Sequence, residues 1–351
     1  MSEASRVLYV GWTGRGNLGD DAIADALTPR LSNVERWHVP TDVSAFARRI
    51  AAGGMVGSGE RALLLGGGTV IGRRNWRMLL RATGTLLARR RPWYLIGAGV
   101  EDPVFQGRNS FSDSGELSRW ADVCGRFARI SVRGPRSAEL LAEIGVEAEV
   151  VGDPALLHDP VPVAVRDRLV GVNLGYGDDL WGHDHERVVT ETAVLLRELA
   201  EDGWSARLLV VNRSDRRYAL DCLRQSGIPS DRAEIRDTAT VPDYLTAAGE
   251  CTVLVAERLH ALVLAAIVGT PLVGLEYQPK CADFMRSVGA DRHLYRTDTA
   301  TAEVLRTAVD ELTERREAES ARLTGAVATL RVRLDRELAF LRERLGTAVA
   351  A

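Results

Sequence analysis

Lysine is nearly missing from this 351-residue chain. Lysine and arginine together number 45, and the single lysine, Lys280, leaves 44 arginines. On a solvated surface the two exchange freely, but a compact ammonium and a planar guanidinium are not equivalent in a binding site. A drift toward arginine that spared one position therefore marks Lys280 as a candidate functional residue. Metal-spaced cysteine is missing too. Cys124, Cys222, Cys251 and Cys281 form no CxxC pair and read as reduced thiols of a cytoplasmic protein. No apolar run approaches the ~18 residues of a membrane span, and residues 1–6 carry no apolar stretch of an export signal. A net charge of −3 excludes a global attraction to nucleic acid or to an anionic membrane, so any anion site must be local.

What is present is a regular alternation. The length suits two domains of ~150 residues each. Continuous apolar runs predict strands at 6–11, 34–39, 62–65, 93–96, 129–132 and 147–150, with helical patterns between them at 18–31, 43–52, 76–90, 115–127 and 135–144. A proline-rich stretch from Asp153 to Pro162 reads as a linker. The alternation then restarts. Strands are predicted at 169–174, 206–211, 233–235, 252–255 and 271–275, and helices at 185–202, 214–226, 241–248, 259–268 and 282–288. Strands of this kind, separated by helices, imply parallel sheets covered on both faces. The expected fold is α/β: two doubly wound, Rossmann-like domains at 1–160 and 161–298, a cleft between them, and a helical tail at 299–351. On that tail Leu323, Val327, Leu330, Leu334, Leu341 and Leu345 form one stripe. It suits packing on the chain's own domains, and a homodimeric coiled coil stays open.

In open parallel sheets ligands bind at the carboxyl ends of the strands, so the residues just after each strand carry the search. After the first strand, glycines at 11, 14, 16 and 19 surround Asn17 and precede Asp20 and Asp21. They allow backbone amides to approach a ligand at a helix N-terminus, or form a tight turn in which Asn17 or Asp20 caps the helix. The second strand runs into His38-Val39-Pro40, without the acidic residue of a dinucleotide fingerprint. After the third strand come Gly66, Gly67 and Gly68, where backbone approaches either a ligand or a neighbouring helix. Arg133 closes the fifth strand, as a ligand-facing cation or a solvated surface arginine.

The densest set lies in the second half. Glu257-Arg258-Leu259-His260 opens a helix, and Glu276-Tyr277-Gln278-Pro279-Lys280 follows the next strand. A right-handed βαβ crossover places both strand ends on one edge. Arg258, His260, Lys280 and free helix amides then converge as an anion pocket. His183-Asp184-His185 is a further pattern to check for a metal, without an identified third ligand.

Taken in order, several segments resemble the polysaccharide pyruvyl transferase family. They are Gly16-Asn17-Leu18-Gly19-Asp20-Asp21-Ala22, Gly66-Gly67-Gly68, Val132-Arg133 with Ser137 and Leu140, Gly152-Asp153-Pro154, Arg258-Leu259-His260 and Tyr277-Gln278-Pro279-Lys280. The resemblance spans about residues 7–290. It implies a GT-B-like two-domain fold, and transfer of pyruvate from phosphoenolpyruvate to two sugar hydroxyls as a ketal. The chain departs from the family pattern at Gly134, Ala261 and Gln278, without losing an expected cation. On this reading His260, Asp20 and Asp21 are catalytic. Arg258, Leu259, Lys280, Arg133, Asn17, Gly16, Gly67 and Gly68 bind substrate, with phosphoenolpyruvate on the second domain and the acceptor on the first. His260 serves as acid and Asp20 or Asp21 as base, and Cys281 is a further proton-donor candidate. Phosphoenolpyruvate is a co-substrate, and no cofactor or metal is expected. The implied setting is cytoplasmic synthesis of a cell-envelope glycan. The competing reading is a GT-B glycosyltransferase with a nucleotide-sugar donor, whose ribose would need an acid such as Asp283 or Glu276. A non-catalytic relative is the third, and the retained cation set argues against it.

Overall fold

A computed structural model describes residues 5–12, 16–31, 34–52, 60–88, 91–105, 115–175, 181 and 184–347. By its contacts the chain forms two units. One comprises residues 1–13, 23–157 and 330–351, and the other residues 14–22 and 158–329.

The first unit is built on strands β1 (Ser5–Val10), β2 (Val34–His38), β3 (Glu60–Gly66), β4 (Thr69–Ile71), β5 (Trp93–Val100), β6 (Phe127–Val132) and β7 (Glu149–Val150). The sheet order is β2-β1-β3-β5-β6-β7, with β4 against β5, and every pairing is parallel. Its helices are α1 (Leu18–Arg30), α2 (Val43–Ala51), α3 (Arg74–Leu86), α4 (Ala121–Cys124) and α5 (Pro135–Glu143). All eight residues of β5 are buried, as an apolar run with helices on both faces requires. The helical pattern at 115–127 resolves differently from expectation. A 3-10 turn at Ser118–Trp120 leads into the single turn α4, which ends at Gly125, and Phe127 joins β6. Its apolar residues Trp120, Val123 and Cys124 bury within five positions, too compact a cluster for a long amphipathic face.

The second unit has strands β8 (Leu169–Asn173), β9 (Ser205–Val210), β10 (Ala233–Asp237), β11 (Val253–Ala256), β12 (Leu272–Glu276) and β13 (Leu294–Arg296). They are joined by α6 (His185–Glu201), α7 (Arg216–Ser226), α8 (Val241–Gly249), α9 (Leu259–Ile267) and α10 (Pro279–Ser287). The order β10-β9-β8-β11-β12-β13, all parallel, is the 3-2-1-4-5-6 winding of a Rossmann sheet. Its connections diverge at β8 and β11. That point of divergence is where such sheets place their ligands.

The tail forms α11 (Ala302–Glu314) and α12 (Arg316–Thr347). The apolar stripe of α12 is buried, from Leu323 at 1% exposure to Leu345 at 2%. In the second unit α12 packs Ser320 and Thr324 against Gly269, and Arg322 donates to the Val288 carbonyl. In the first unit Leu330 lies on Gly152, Arg333 donates to the Val150 carbonyl, and Glu337 pairs with Arg129. The stripe that could have zipped two copies together is thus covered by the chain itself.

Candidate active site

In the second unit the switch point is charged and organised. β8 ends in Asn173, fully buried, whose side-chain amide donates to the Leu209 carbonyl at 2.8 Å while its Oδ1 accepts from the Arg258 amide at 3.2 Å. β11 ends next to it. Glu257, also fully buried, accepts from the Gly175 amide through Oε2 at 2.9 Å. Arg258 is the N-cap residue of α9, and its extended backbone (φ −68°, ψ 130°) turns the chain from strand into helix. Every residue of α9 is buried, and all but His260 are apolar, as a helix packed on all sides requires.

Arg258 does not stand as an isolated cation. Its Nε and Nη2 bond the fully buried Asp215, the latter at 2.5 Å, and Nη2 reaches Ser214 Oγ at 3.5 Å. Burial alone would lower the guanidinium pKa. The hydrogen bond and charge of Asp215 outweigh it and push the pKa above its ordinary value, so Arg258 stays charged. Gly175 passes so close that a Cβ there would overlap Arg258 Nε and stand 2.7 Å from Asp215 Oδ1.

Lys280 lies one strand away. β12 pairs with β11 in parallel register, Ala256 opposite Gly274, as the crossover argument requires. The sequence pattern predicts that the helix after β12 starts at 282. Instead Pro279 occupies the first position of α10 and Lys280 the second, because proline is pre-set for a helix start. Its Nζ sits 4.7 Å from the ring centroid of Tyr277. Tyr277 is fully buried. Burial first, then Cys281, raises its pKa, while Arg258 pulls it back. Tyr277 is therefore the shared neighbour of the two cations.

Residues 14–22 keep company with this unit. Leu18 N donates to the Val211 carbonyl, and Asn17 bridges Asn212. Asn17 caps α1 through Oδ1, which accepts from Gly19 N at 3.2 Å, and its amide donates to Asp20 Oδ2 at 2.8 Å. Gly19 lies flat on the imidazole of His260, and any Cβ at 19 would overlap His260 Nδ1 and Cγ. Gly19 thus leaves the space that the His260 ring occupies. The same contact brings His260 and the Asp20 segment together, both on partly or mostly buried ground.

The other expected residues have other settings. Arg133 has no exposed surface. Its Nη2 donates to Thr69 Oγ1 at 3.0 Å, its Nη1 lies 3.8 Å from Asp153 Oδ2, and Gly99 leaves room for Cζ. It is not a solvated surface arginine, and its guanidinium lies beside Asp153 inside the first unit. Burial pushes the Asp153 pKa up, against the pull of Arg133 and of the Ala155 amide. Gly67 holds φ +50° and faces Ile23 of α1, with Cγ2 only 2.5 Å from where a Cβ would be. Gly68 faces Trp12, and Gly66 and Gly11 flank the Tyr9 ring. Gly67 thus makes a close approach to a neighbouring helix, α1. Gly16, at φ +71°, has open space around it.

Sequence reasoning missed Asp215 and Asn173, and gave Glu257, quoted with its motif, no role. Asn173 is the last residue of β8, while Glu257 and Asp215 follow the ends of β11 and β9. Acidic residues there read as surface charge until burial is known. Cys281 is buried and donates to the Glu257 carbonyl at 3.6 Å. Among the described residues no cluster of three or more His, Cys, Asp or Glu side chains is placed to hold a metal. Of the histidine pair considered as ligands, His183 lies outside the described residues, while His185 opens α6 with its ring against Tyr218. Among the described residues no helix is long and apolar enough to cross a membrane.

Two parallel-sheet units of this winding define the GT-B-like class, and solved structures agree over nearly the whole chain. The glycotransferase of kitacinnamycin matches with a TM-score of 0.57 at 16% identity, covering 97% of this chain and 98% of its own. Anabaena Alr3699/HepE, solved with UDP and glucose, matches with a TM-score of 0.58 at 11% identity, covering 98% and 100%. The UDP-GlcNAc 2-epimerase of Neisseria meningitidis matches with a TM-score of 0.59 at 10% identity, covering 97% and 100%. At such identities the likeness is one of fold. No curated protein matches the chain. The chain belongs to the polysaccharide pyruvyl transferase family, whose model matches residues 17–279, and is a transferase.

Proposed function

We propose that this enzyme moves pyruvate from phosphoenolpyruvate onto two hydroxyls of a sugar or glycan acceptor as a cyclic ketal, releasing phosphate. The observation that supports it is that Arg258, His260 and Lys280 lie at the starts of the two helices that follow the neighbouring strands β11 and β12. Phosphoenolpyruvate brings a phosphate and a carboxylate. Arg258, Lys280 and the first amides of α9 are donors suited to such a pair. Asp215 offsets part of the charge of Arg258 and fixes its orientation, and Lys280 adds a second cation one strand away.

The chemistry needs one proton placed on C3 and two hydroxyl protons removed. Protonation of C3 makes C2 electrophilic, and the first hydroxyl adds to it. Phosphate then leaves with its bridging oxygen, and the second hydroxyl closes the ring on C2. One of the two hydroxyl protons replaces that given to C3, and the other leaves with phosphate. His260 is the proton donor in this scheme, and Asp20 or Asp21 the acceptor for a hydroxyl proton. The product would be an envelope glycan unit made in the cytoplasm. A nucleotide-sugar donor is less well served, since Asp283, one of the two acids available for a ribose, is only 3% exposed.

The test is phosphate release from phosphoenolpyruvate with a panel of sugar acceptors, alongside melting curves with phosphoenolpyruvate and with UDP-glucose. Acceptor-dependent release and stabilisation by phosphoenolpyruvate are expected. His260→Ala should lower turnover by ~10²–10⁴-fold while phosphoenolpyruvate still binds. Absence of both release and binding overturns the reading, and stabilisation by UDP-glucose alone replaces it with the glycosyltransferase.

A further inference from the structure

The net charge of −3 hides one segment of opposite character. Between Glu60 and Glu101 the sequence has eight arginines and no acidic residue. Helix α3 of the first unit lies within it. Its inner side buries Trp76, Leu80 and Thr83, and Arg77 bonds the fully buried Glu116. Arg73, just before the helix, bonds Glu101. Among the described residues, Glu116 and Glu101 are acids held in ion pairs by Arg77 and Arg73.

The outer side is different. Arg74, Met78, Arg81 and Leu86 are exposed, and so is Arg91 beyond the helix end. At 3.6 residues per turn Met78 stands at the centre of this face, with Arg74 and Arg81 on one flank and Leu86 on the other. Met78 is 54% exposed and Leu86 59%. Single exposed apolar residues are ordinary. Two on one face, flanked by arginines and without an acid in the surrounding sequence, form a surface with a chemical preference. Arginines can reach lipid phosphates while apolar side chains enter the headgroup boundary. A naked polyanion would leave Met78 and Leu86 in water, and two side chains are too little for a stable protein interface.

We infer that α3 docks this protein peripherally on an anionic lipid surface, through Arg74, Arg81 and Arg91 with Met78 and Leu86 inserted. The inference does not depend on the pyruvyl chemistry. It is tested by co-sedimentation of the full chain with phosphatidylcholine vesicles, with and without phosphatidylglycerol. Binding should require phosphatidylglycerol and weaken as salt rises. Arg81→Ala with Arg91→Ala should reduce partitioning about thirtyfold. Met78→Ser with Leu86→Ser, at unchanged charge, should reduce it about tenfold or more. Circular dichroism of each variant should match the parent, since all four positions are exposed. Absent binding to anionic vesicles, equal binding to neutral ones, or full retention in either double variant overturns the proposal. Retention in the apolar variant alone, with loss in the arginine variant, identifies a site for a soluble polyanion instead.

Discussion

The two sheets diverge at comparable points, β1 beside β3 in the first unit and β8 beside β11 in the second, yet those points are built from opposite materials. In the first, the Tyr9 ring lies where side chains at Gly11 and Gly66 would stand, and a wholly buried Arg133 joins Thr69 to Asp153. In the second, Asn173, Glu257, Asp215 and Arg258 form a polar cluster whose arginine keeps 15% of its side chain in solvent. The same rule of winding therefore yields one strand end that is packed and one whose charged cluster reaches solvent.

The largest effect expected from this contrast is on stability. Arg133→Ala leaves Asp153 buried without its charge partner, which costs about 3–5 kcal/mol. Urea titration should show it, and thiol labelling should locate it. Cys124 is the thiol of the first unit, while Cys222, Cys251 and Cys281 belong to the second. Burial pushes Cys124, Cys222 and Cys251 up to about 12, so labelling at neutral pH reports opening rather than ionisation. Cys124 should label early in the variant, and equal labelling of all four would erase the distinction between the units.

Next comes Gly19→Ala. A methyl group there must displace His260 or the start of α1, and a displacement of ~1 Å at a reacting group costs about a hundredfold in turnover. Urea stability should change far less than in the Arg133 variant. Unchanged kcat would show that the imidazole position does not matter to the reaction. The smallest effect is expected from Arg258→Lys, which keeps the charge but loses the two-pronged hold on Asp215. A tenfold fall in kcat/KM with a stability loss of about 1 kcal/mol is expected. A larger loss of stability than of activity would make Arg258 a second Arg133.

The alternation of strands and helices was legible because the central strands carry continuous apolar runs, as in Leu63–Leu65 and Val253–Ala256, buried at every position. β4 and β13 were not, since three residues such as Leu294-Tyr295-Arg296 give no period to read. At the site, Arg258, His260 and Lys280 were legible from their order around one crossover. Their acidic partner was not, because Asp215 precedes α7 forty-three positions earlier and sequence spacing carries no sign of that approach. The fate of Arg133 was equally hidden. Among 44 arginines none announces burial, and its pocket is made by Thr69, Gly99 and Asp153 on three separate segments.

Helix α12 carries a consequence for how the chain is made. Its second half, from Leu330 onward, belongs to the first unit, and Leu334, Leu338 and Leu341 are buried there. A ribosome therefore emits the opening 157 residues, then the whole of the second unit, before the segment that completes the first sheet's coat appears. The second unit is the one that can close during synthesis, and the first must wait with apolar surface exposed. Loss of the last turns by proteolysis or a premature stop would accordingly injure the unit encoded first, and leave the cluster around Arg258 and Lys280 standing.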